Sequence, residues 1–254
     1  MSSATRRNDM FDLFERITGQ IRKALQDFNM IQAGDRLAVG LSGGKDSLTL
    51  LTALVELQRY FPTRYDLDAV TIDLGFDDAV IVDGAANSYE TLSSYCGSLS
   101  VNHTVESTNI GKIVFEYKKE ENPCSLCANM RRGALNNAAK RLGCNKIVLA
   151  HNRDDVIETM LLSLFYEGRI STFAPVTYLD RKKLHVLRPM IFTEEEDIVA
   201  YANRAPFSVV KNPCPVNGRT CRETIKKMIK QLSSNNKYIK SNIFGALKRD
   251  IWSK

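Results

Sequence analysis

The stretch LAVGLSGGKDSLTLL, residues 37–51, decides the fold because it combines a short apolar run, a glycine turn and a leucine-rich segment. Residues 37–41 have the composition of a buried strand, and the leucines after Ser47 favour a helix. Glycines at 43 and 44 permit positive φ, so backbone N–H groups can face outward at the helix N-terminus, where the helix dipole favours an anion. A plain strand-to-helix turn has no need of Lys45. The stretch therefore predicts a cradle for phosphate or pyrophosphate.

The loop is not a Walker loop, since the pattern G-x-x-x-x-G-K-[ST] fails where Asp46 follows Lys45. The hexapeptide S-G-G-K-D-S instead resembles the signature of the PP-loop ATP pyrophosphatases, which use ATP to adenylate a carbonyl oxygen. The resemblance implies that ATP lies over the loop, with the lysine and Mg²⁺ neutralising phosphate charge. The expected nucleotide-binding residues are Ser42, Gly43, Gly44, Lys45, Asp46 and Ser47.

Composition sets broad limits. The chain has 254 residues, enough for one sizeable domain or one domain with a small appendage. It shows no apolar run of about 20 residues and no signal-peptide core at its N-terminus, so we expect a cytoplasmic protein with no membrane segment. The net charge of +6 permits a polyanionic partner, although evenly spread basic residues would give the same sum.

Alternating apolar patterns predict an α/β fold. Strands are expected at 37–41, 67–74, 102–106 and 146–151, and helices at 11–28, 46–60, 80–96, 131–142 and 154–166. Such alternation implies βαβ units and a parallel sheet flanked by helices. The PP-loop resemblance implies that this sheet has the Rossmann-type arrangement of the adenine nucleotide α-hydrolases. Ligands bind such sheets at the carboxyl ends of the strands. The phosphate loop, Asp73 and residues 151–155 all lie at such ends, so they are expected to form one active site.

The C-terminal third of the sequence differs from the rest in predicting helices and a lysine-rich run. A helix over 194–203 is predicted with Thr193 as its cap and Glu196 at the capping-box position, and residues 222–240 read as one exposed, lysine-rich helix. We therefore divide the chain into an N-terminal amphipathic helix (1–30), a PP-loop domain that contains Cys124 and Cys127 (31–210) and a basic helical extension that contains Cys214 (211–254). The basic run is consistent with phosphate contacts or with a solvated face. Its lysines are Lys226, Lys227, Lys230, Lys237 and Lys240.

Six cysteines in a chain without an export signal favour metal binding, catalysis or burial over a disulfide framework. Cys124 and Cys127 form C-x-x-C, which fits a redox pair, half of a zinc site or helix packing. Cys214 and Cys221 stand in a turn-rich stretch that would expose them. Four thiolates can bind zinc or a [4Fe–4S] cluster, three can hold such a cluster with one iron open, and spacing does not separate these. The cysteines expected to be buried structural thiols are Cys96 and Cys144.

Together with the loop, the strings CSLCANMRRG (124–133) and AHNRDDVIETMLLSLFYEGR (150–169) resemble the TtcA/TtuA family of tRNA 2-thiolation enzymes over about residues 11–227. The resemblance implies a [4Fe–4S] cluster on Cys124, Cys127 and Cys214, with the fourth iron free to carry sulfur. It implies a tRNA substrate, in which C2 of an anticodon-loop pyrimidine exchanges oxygen for sulfur. A cysteine desulfurase persulfide or sulfide would donate that sulfur, and the electron donor stays unknown. No cysteine precedes residue 96 or follows 221, which favours the 2-thiocytidine branch.

Within that resemblance, catalytic roles are expected for Asp46, Arg131 and Asp155. The two carboxylates would hold Mg²⁺ or position reacting groups, and the arginine would stabilise the adenylate or contact cluster sulfurs. Nucleotide contact is expected for Asp73 and His151.

Several of these residues keep a structural alternative. Asp155 can be a first-turn acid favoured by the helix dipole, and Asp154 can be the cap of that helix. Arg132 can belong to a solvated basic face, and His151 can be structural. Cys221 departs from the family pattern, and it can close the open iron site, carry a persulfide or do nothing.

Other functions stay open at this point. A lysidine synthetase or an amidating enzyme like GMP synthetase would need the loop but no cysteines. An iron–sulfur redox or sensor protein would keep the fold without thiolation, and a desulfidase would take sulfur from thiolated nucleobases without ATP. The apolar stripe over 11–28 also makes a homodimer a reasonable hypothesis.

Overall fold

The computed structural model describes residues 3–76, 88–117, 123–210, 214 and 221–252. These residues form a six-stranded sheet in the order β3-β2-β1-β4-β6-β5. All neighbouring strands run parallel except β5, which is antiparallel to β6. The strands are β1 Asp35–Gly40, β2 Tyr65–Asp73, β3 Asn102–Ser107, β4 Lys146–Val148, β5 Val176–Leu179 and β6 Leu184–Leu187.

Helices connect the parallel strands, as the predicted α/β fold requires. Part of the predicted helix 80–96 lies outside the described residues, and α4 continues into a π-helical turn, Ile113–Tyr117. The helices are α1 Ser3–Asp27, α2 Lys45–Leu57, α3 Ser88–Ser98, α4 Ile110–Lys112, α5 Pro123–Arg141, α6 Arg153–Glu167, α7 Glu195–Ala202, α8 Cys221–Asn235 and α9 Ile239–Asp250. None of the described helices is long and apolar enough to cross a membrane.

The position of β1 determines where a ligand can bind. β1 pairs with β2 on one side and with β4 on the other, so the strand order reverses at β1. In open parallel sheets a crevice forms at this reversal, outside the carboxyl ends of the strands. The segment that leaves β1 at this crevice is the predicted phosphate loop.

The apolar stripe of α1 is buried within the chain. Ile17, Ile21 and Leu25 are at most 2% exposed and belong to the main core cluster. Phe14 stacks on Tyr201 of α7, with ring centroids 4.9 Å apart. The stripe that suggested a homodimer is therefore not an exposed surface, apart from Phe11 at 59% exposed, because α1 covers the core of its own chain. The homodimer stays a prediction without this support.

The C-terminal region corrects two further predictions. The region after residue 220 forms α8 and α9 rather than one exposed helix, and Ile225 and Ile229 of α8 are buried against α6. Helix α7 is not capped by Thr193: Glu194 holds the cap position, and the Thr193 hydroxyl is buried without a hydrogen-bond partner among the described residues. The predicted helix at 131–142 begins earlier, at Pro123, so both cysteines of C-x-x-C lie in the first two turns of α5.

Candidate active site

The phosphate loop has a backbone that only glycine fits at residue 43. Gly43 has φ +77°, and a Cβ there would lie 2.8 Å from Cβ of Val210. The Gly43 carbonyl also accepts a hydrogen bond from the Val210 N–H at 2.9 Å. The loop is therefore bound to the segment that leads toward Cys214, four residues beyond Val210.

Two serine hydroxyls hold the shape of the loop. The Oγ atoms of Ser42 and Ser47 lie 3.1 Å apart, and Ser47 Oγ donates to the Gly44 carbonyl at 3.0 Å. Gly44 occupies the N-cap position of α2, and no described side chain caps this helix. Since the first N–H groups of a helix have no partner within it, this N-terminus suits an anion.

Lys45 is held by two carboxylates. Its Nζ lies 2.9 Å from Asp46 Oδ2 and 3.0 Å from Glu195 Oε1. Burial lowers the pKa of Lys45, but these carboxylates outweigh burial and the net shift is upward. Both oxygens of Glu195 lie 3.1 Å from Nζ of Lys226 on α8. Glu195 thus links Lys45 to the C-terminal helices. Sequence reasoning missed this link because Lys45 is 150 residues and Lys226 is 31 residues from Glu195 along the chain.

Asp46 and Asp155 approach one another across Asn152. The Asn152 amide donates to Asp46 Oδ1 at 3.0 Å, and Asn152 and Asp155 form a reciprocal capping box at the start of α6. Asp155 Oδ1 also accepts from Arg222 at 2.9 Å. Burial is the main reason that the pKa of Asp155 is raised. The two carboxylates named as catalytic candidates therefore lie in one connected group.

Asp154 is not the helix cap, as the sequence had allowed. Its Oδ2 accepts from the Glu195 N–H at 2.8 Å, and its Oδ1 pairs with Lys240 at 2.7 Å. Lys240 and Lys226, two of the five lysines considered for phosphate contact, are thus held in internal ion pairs.

Glu158 is a buried acid that sequence reasoning missed. Its side chain is 3% exposed and pairs with Arg222 at 3.3 Å and with Lys226 at 3.8 Å. Burial raises its pKa to about 7. The signal available was its position one turn after Asp155, with Arg222 and Lys226 also one turn apart on a later helix.

Asp73 ends β2 and shapes the turn that follows. Its Oδ1 accepts from the Gly75 N–H and from the Tyr89 hydroxyl, both at 2.9 Å. Asp73 lies at the predicted edge of the sheet, on the β2 side of the phosphate loop, and its nucleotide contact stays a prediction.

His151 lies beyond β4, against an aromatic ring and several arginines. Its ring centroid is 4.8 Å from that of Phe173, and its Nδ1 is buried with no partner among the described residues. Burial lowers the pKa of His151 to about 3, and the charges of Arg188, Arg222 and Arg132 act in the same direction. The imidazole is therefore neutral at physiological pH.

The cysteines of C-x-x-C lie on one face of α5, one turn apart, with Cys124 exposed and Cys127 partly buried. Burial raises the pKa of Cys127, the charge of Arg131 opposes this shift, and the thiols of Cys214 and Cys124 add to it. The three predicted ligands are therefore electrostatic neighbours, with Arg131 beside them. Cys221 is exposed at the start of α8, and the predicted burial of Cys96 and Cys144 is confirmed.

The donor atoms define which groups this site suits. Within the described ranges, no three His, Cys, Asp or Glu side chains are arranged as a closed metal site, so the three thiols are neighbours without enclosing an ion. Three sulfur donors suit zinc or an iron–sulfur cluster. The paired carboxylates of Asp46 and Asp155 are oxygen ligands of the kind that Mg²⁺ prefers.

A glycine-turn loop of this sequence at the switch point of a parallel sheet defines a nucleotide-binding protein of the PP-loop class. Comparison with known protein families agrees with this class, because the family described as a PP-loop domain matches residues 14–232 of the chain. A tRNA-cytidine(32) 2-sulfurtransferase of Geobacter sulfurreducens is 36% identical over 237 residues, which cover 92% of this chain and 89% of that protein. A tRNA-cytidine(32) 2-sulfurtransferase of Pelobacter propionicus is 37% identical over 238 residues, which cover 92% of this chain and 86% of that protein.

A solved structure shares the fold. The U34-tRNA thiolase NcsA from Methanococcus maripaludis, solved with its [4Fe–4S] cluster, superposes with a TM-score of 0.73 at 22% identity and covers 93% of this chain and 78% of that one. The chain belongs to the PP-loop family and, within it, to the TtcA family of sulfurtransferases. It is an enzyme, and the resemblance given by the loop and the two downstream motifs is confirmed.

Proposed function

We propose that this enzyme thiolates a tRNA, replacing the C2 oxygen of an anticodon-loop cytidine with sulfur to give 2-thiocytidine in an ATP-dependent reaction. The observation that carries the proposal is the connected group formed by Lys45, Asp46, Asn152 and Asp155, at the carboxyl ends of two adjacent strands. The three thiols of Cys124, Cys127 and Cys214 influence one another electrostatically. The tRNA-cytidine(32) 2-sulfurtransferases that resemble the chain over nearly its whole length support the choice of base.

ATP binding would use the loop and α2. The uncapped N-terminus of α2 receives phosphate oxygens, and Lys45 exchanges its bond to Glu195 for one of them. Lys226 keeps Glu195 neutralised when Lys45 turns to the phosphate. Asp46 and Asp155 hold Mg²⁺, and Asp73 and His151 contact the nucleotide or its acceptor.

Adenylation follows from this arrangement. The C2 oxygen of the base attacks the α-phosphorus and pyrophosphate leaves, so the oxygen becomes part of AMP, a good leaving group. Lys45 and Arg131 stabilise the charge that develops on phosphate oxygens. Nucleophilic sulfur then displaces AMP at C2.

The sulfur step involves the thiols. Cys124, Cys127 and Cys214 would hold a [4Fe–4S] cluster, which supplies a binding position for the incoming sulfide when present. A cysteine desulfurase persulfide or free sulfide provides the sulfur, and the electron donor stays open.

The division of the chain into domains at residues 30 and 210 stays a prediction.

The direct test incubates the purified, cluster-loaded enzyme with unmodified tRNA, ATP, Mg²⁺ and sulfide, and measures 2-thiocytidine and AMP. Equal amounts of the two products are expected, with neither formed by Lys45→Met and both formed by the control Lys23→Met on α1. Formation of 2-thiocytidine without ATP would overturn the adenylation step. Release of sulfide from 2-thiocytidine without ATP would instead favour the desulfidase.

A further inference from the structure

A group of cationic and aromatic side chains lies on the β4–β6 side of the sheet, and His151 is the one member to which the proposed reaction gives a role. His151 follows β4 and Arg188 follows β6, while Arg132 projects from α5, the helix of C-x-x-C. Phe173 joins the first two, since its ring lies 4.8 Å from that of His151 and 5.0 Å from the guanidinium of Arg188.

The two arginines have no neutralising carboxylate among the residues that the structure describes. Arg188 donates to the Ala174 carbonyl at 2.7 Å and to the Thr177 hydroxyl at 3.0 Å, and its buried Nε has no partner in the described part of the chain. Arg132 donates to Ala128 O and Asn129 Oδ1 within its own helix. Burial lowers the pKa of Arg188 to about 10, and the charge of Arg132 acts in the same direction.

Arg188 is half-buried and Arg132 is exposed, and cations of this kind without carboxylate partners indicate an anionic ligand. Among the described residues, neither guanidinium forms an ion pair with Asp or Glu, whereas nearby Arg222 is paired with Asp155 and Glu158. The neutral imidazole of His151 adds a nitrogen with no partner at the same place. A guanidinium pair, a neutral imidazole and an aromatic ring are the groups that bind a nucleotide's phosphate and base.

The strand order separates this group from the ATP phosphates. Arg188 follows β6, which is two strands from β1 in the sheet. Neighbouring strands lie about 4.8 Å apart, so the end of β6 is about 10 Å from the end of β1, whereas the end of β4, which His151 follows, is about 5 Å from it. ATP phosphates on that loop leave the β4–β6 side open to the acceptor.

We propose that Arg132, Arg188 and His151, with Phe173 behind them, form the subsite for the acceptor nucleotide of the RNA, in which the two arginines bind a backbone phosphate and His151 hydrogen-bonds the nucleotide. This inference rests on the proposed function and adds the residues that position its substrate. Arg132 shares α5 with Cys124 and Cys127, so one helix carries two of the thiols and part of the subsite.

The test measures tRNA binding by fluorescence anisotropy over a series of salt concentrations, and ATP binding by calorimetry. Arg132→Gln changes an exposed residue and is expected to weaken tRNA binding about tenfold and to reduce the slope of log affinity against log salt by about 1. His151→Phe keeps a ring against Phe173, so it should weaken binding with the slope unchanged. The matched control is Lys140→Gln, an exposed charge further along α5, which should leave the affinities for both ligands unchanged.

Four other outcomes are decisive. If Arg132→Gln lowers the affinity for ATP and leaves the affinity for tRNA unchanged, Arg132 binds a phosphate of ATP rather than of the RNA, which would overturn the subsite. Equal losses in Arg132→Gln and Lys140→Gln would show general attraction only, and unchanged binding in Arg132→Gln and His151→Phe would also overturn it while leaving tRNA thiolation intact. Wild-type enzyme that binds no tRNA would instead refute the proposed function and the subsite together.

Discussion

The Nζ atom of Lys45, on the phosphate loop, lies 3.0 Å from Oε1 of Glu195, at the start of α7. The lysine expected to meet ATP is therefore held by a carboxylate, which a phosphate oxygen must displace. Because Glu195 also neutralises Lys226 of α8, nucleotide binding alters an ion-pair group that includes the C-terminal helices.

The first prediction concerns this competition. Glu195→Gln removes the carboxylate that competes with phosphate and leaves Asp46 beside Lys45 and Glu158 beside Lys226. The local charge becomes more positive, so ATP should bind about tenfold more tightly at low salt. Calorimetric titration with ATP measures the change. The matched control is Glu196→Gln, which alters the next residue, whose side chain is 81% exposed. Unchanged or weaker ATP binding in Glu195→Gln would contradict the account.

The second prediction concerns Gly43. Gly43→Ala adds a Cβ at φ +77° that would lie 2.8 Å from Val210 Cβ, whereas Gly143→Ala adds one at φ +74° with nothing within 4 Å. Both should lose about 1 kcal/mol from the backbone conformation, and Gly43→Ala should lose a further 1–3 kcal/mol from the contact. Denaturant unfolding measures both free energies. Restoration of part of the loss by Val210→Gly is expected, and equal losses in the two alanine variants would rule out the contact.

The third prediction concerns the pH dependence of stability through Glu158. Its pKa is raised from 4.5 to about 7 by burial, so the folded protein binds a proton more tightly than the unfolded chain. Its contribution to stability is therefore fully present below about pH 4.5 and is lost as the pH rises toward 7. The free energy of unfolding of the wild type, relative to Glu158→Gln, should fall by about 2 kcal/mol between pH 5 and pH 8. Parallel pH profiles for the two proteins would show that this pKa is not raised.

The fourth prediction concerns the thiols. Replacing Cys124, Cys127 or Cys214 with alanine should abolish thiolation and bound iron, because each removes one of three sulfur ligands. Cys221→Ala is the control and should keep both thiolation and bound iron, although Cys221 is exposed as Cys124 is. Iron analysis with nucleoside mass spectrometry gives both readouts. Full activity and iron content in Cys214→Ala would refute the three-ligand assignment.

Local sequence predicted the parallel sheet and the phosphate loop because both depend on short-range patterns. The run at 37–51 specifies strand, turn and helix by itself, and the structure places β1 at 35–40 and α2 at 45–57. Helix α6 is found one residue from its predicted start for the same reason.

Long-range packing explains what the sequence did not predict. The α1 stripe is apolar whether it meets a partner or the chain's own core, and only the structure shows Ile17 and Ile21 buried. Thr193 is a residue type preferred at helix N-caps, but Glu194 holds the N-cap position because α7 begins one residue later than this prediction requires. The ion pairs of Glu195 and Glu158 join residues from four helices, α2, α6, α7 and α8, and spacing within one helix does not show which other helix it meets.

The measurement that tests the central claim most directly is mass spectrometry of tRNA nucleosides from cells with and without this gene, complemented with wild type or Lys45→Met. We expect 2-thiocytidine alone to disappear on deletion, to return with the wild type and to stay absent with the variant. Persistence of 2-thiocytidine in the deletion strain, or its return with Lys45→Met, would contradict the account of an ATP-dependent tRNA sulfurtransferase.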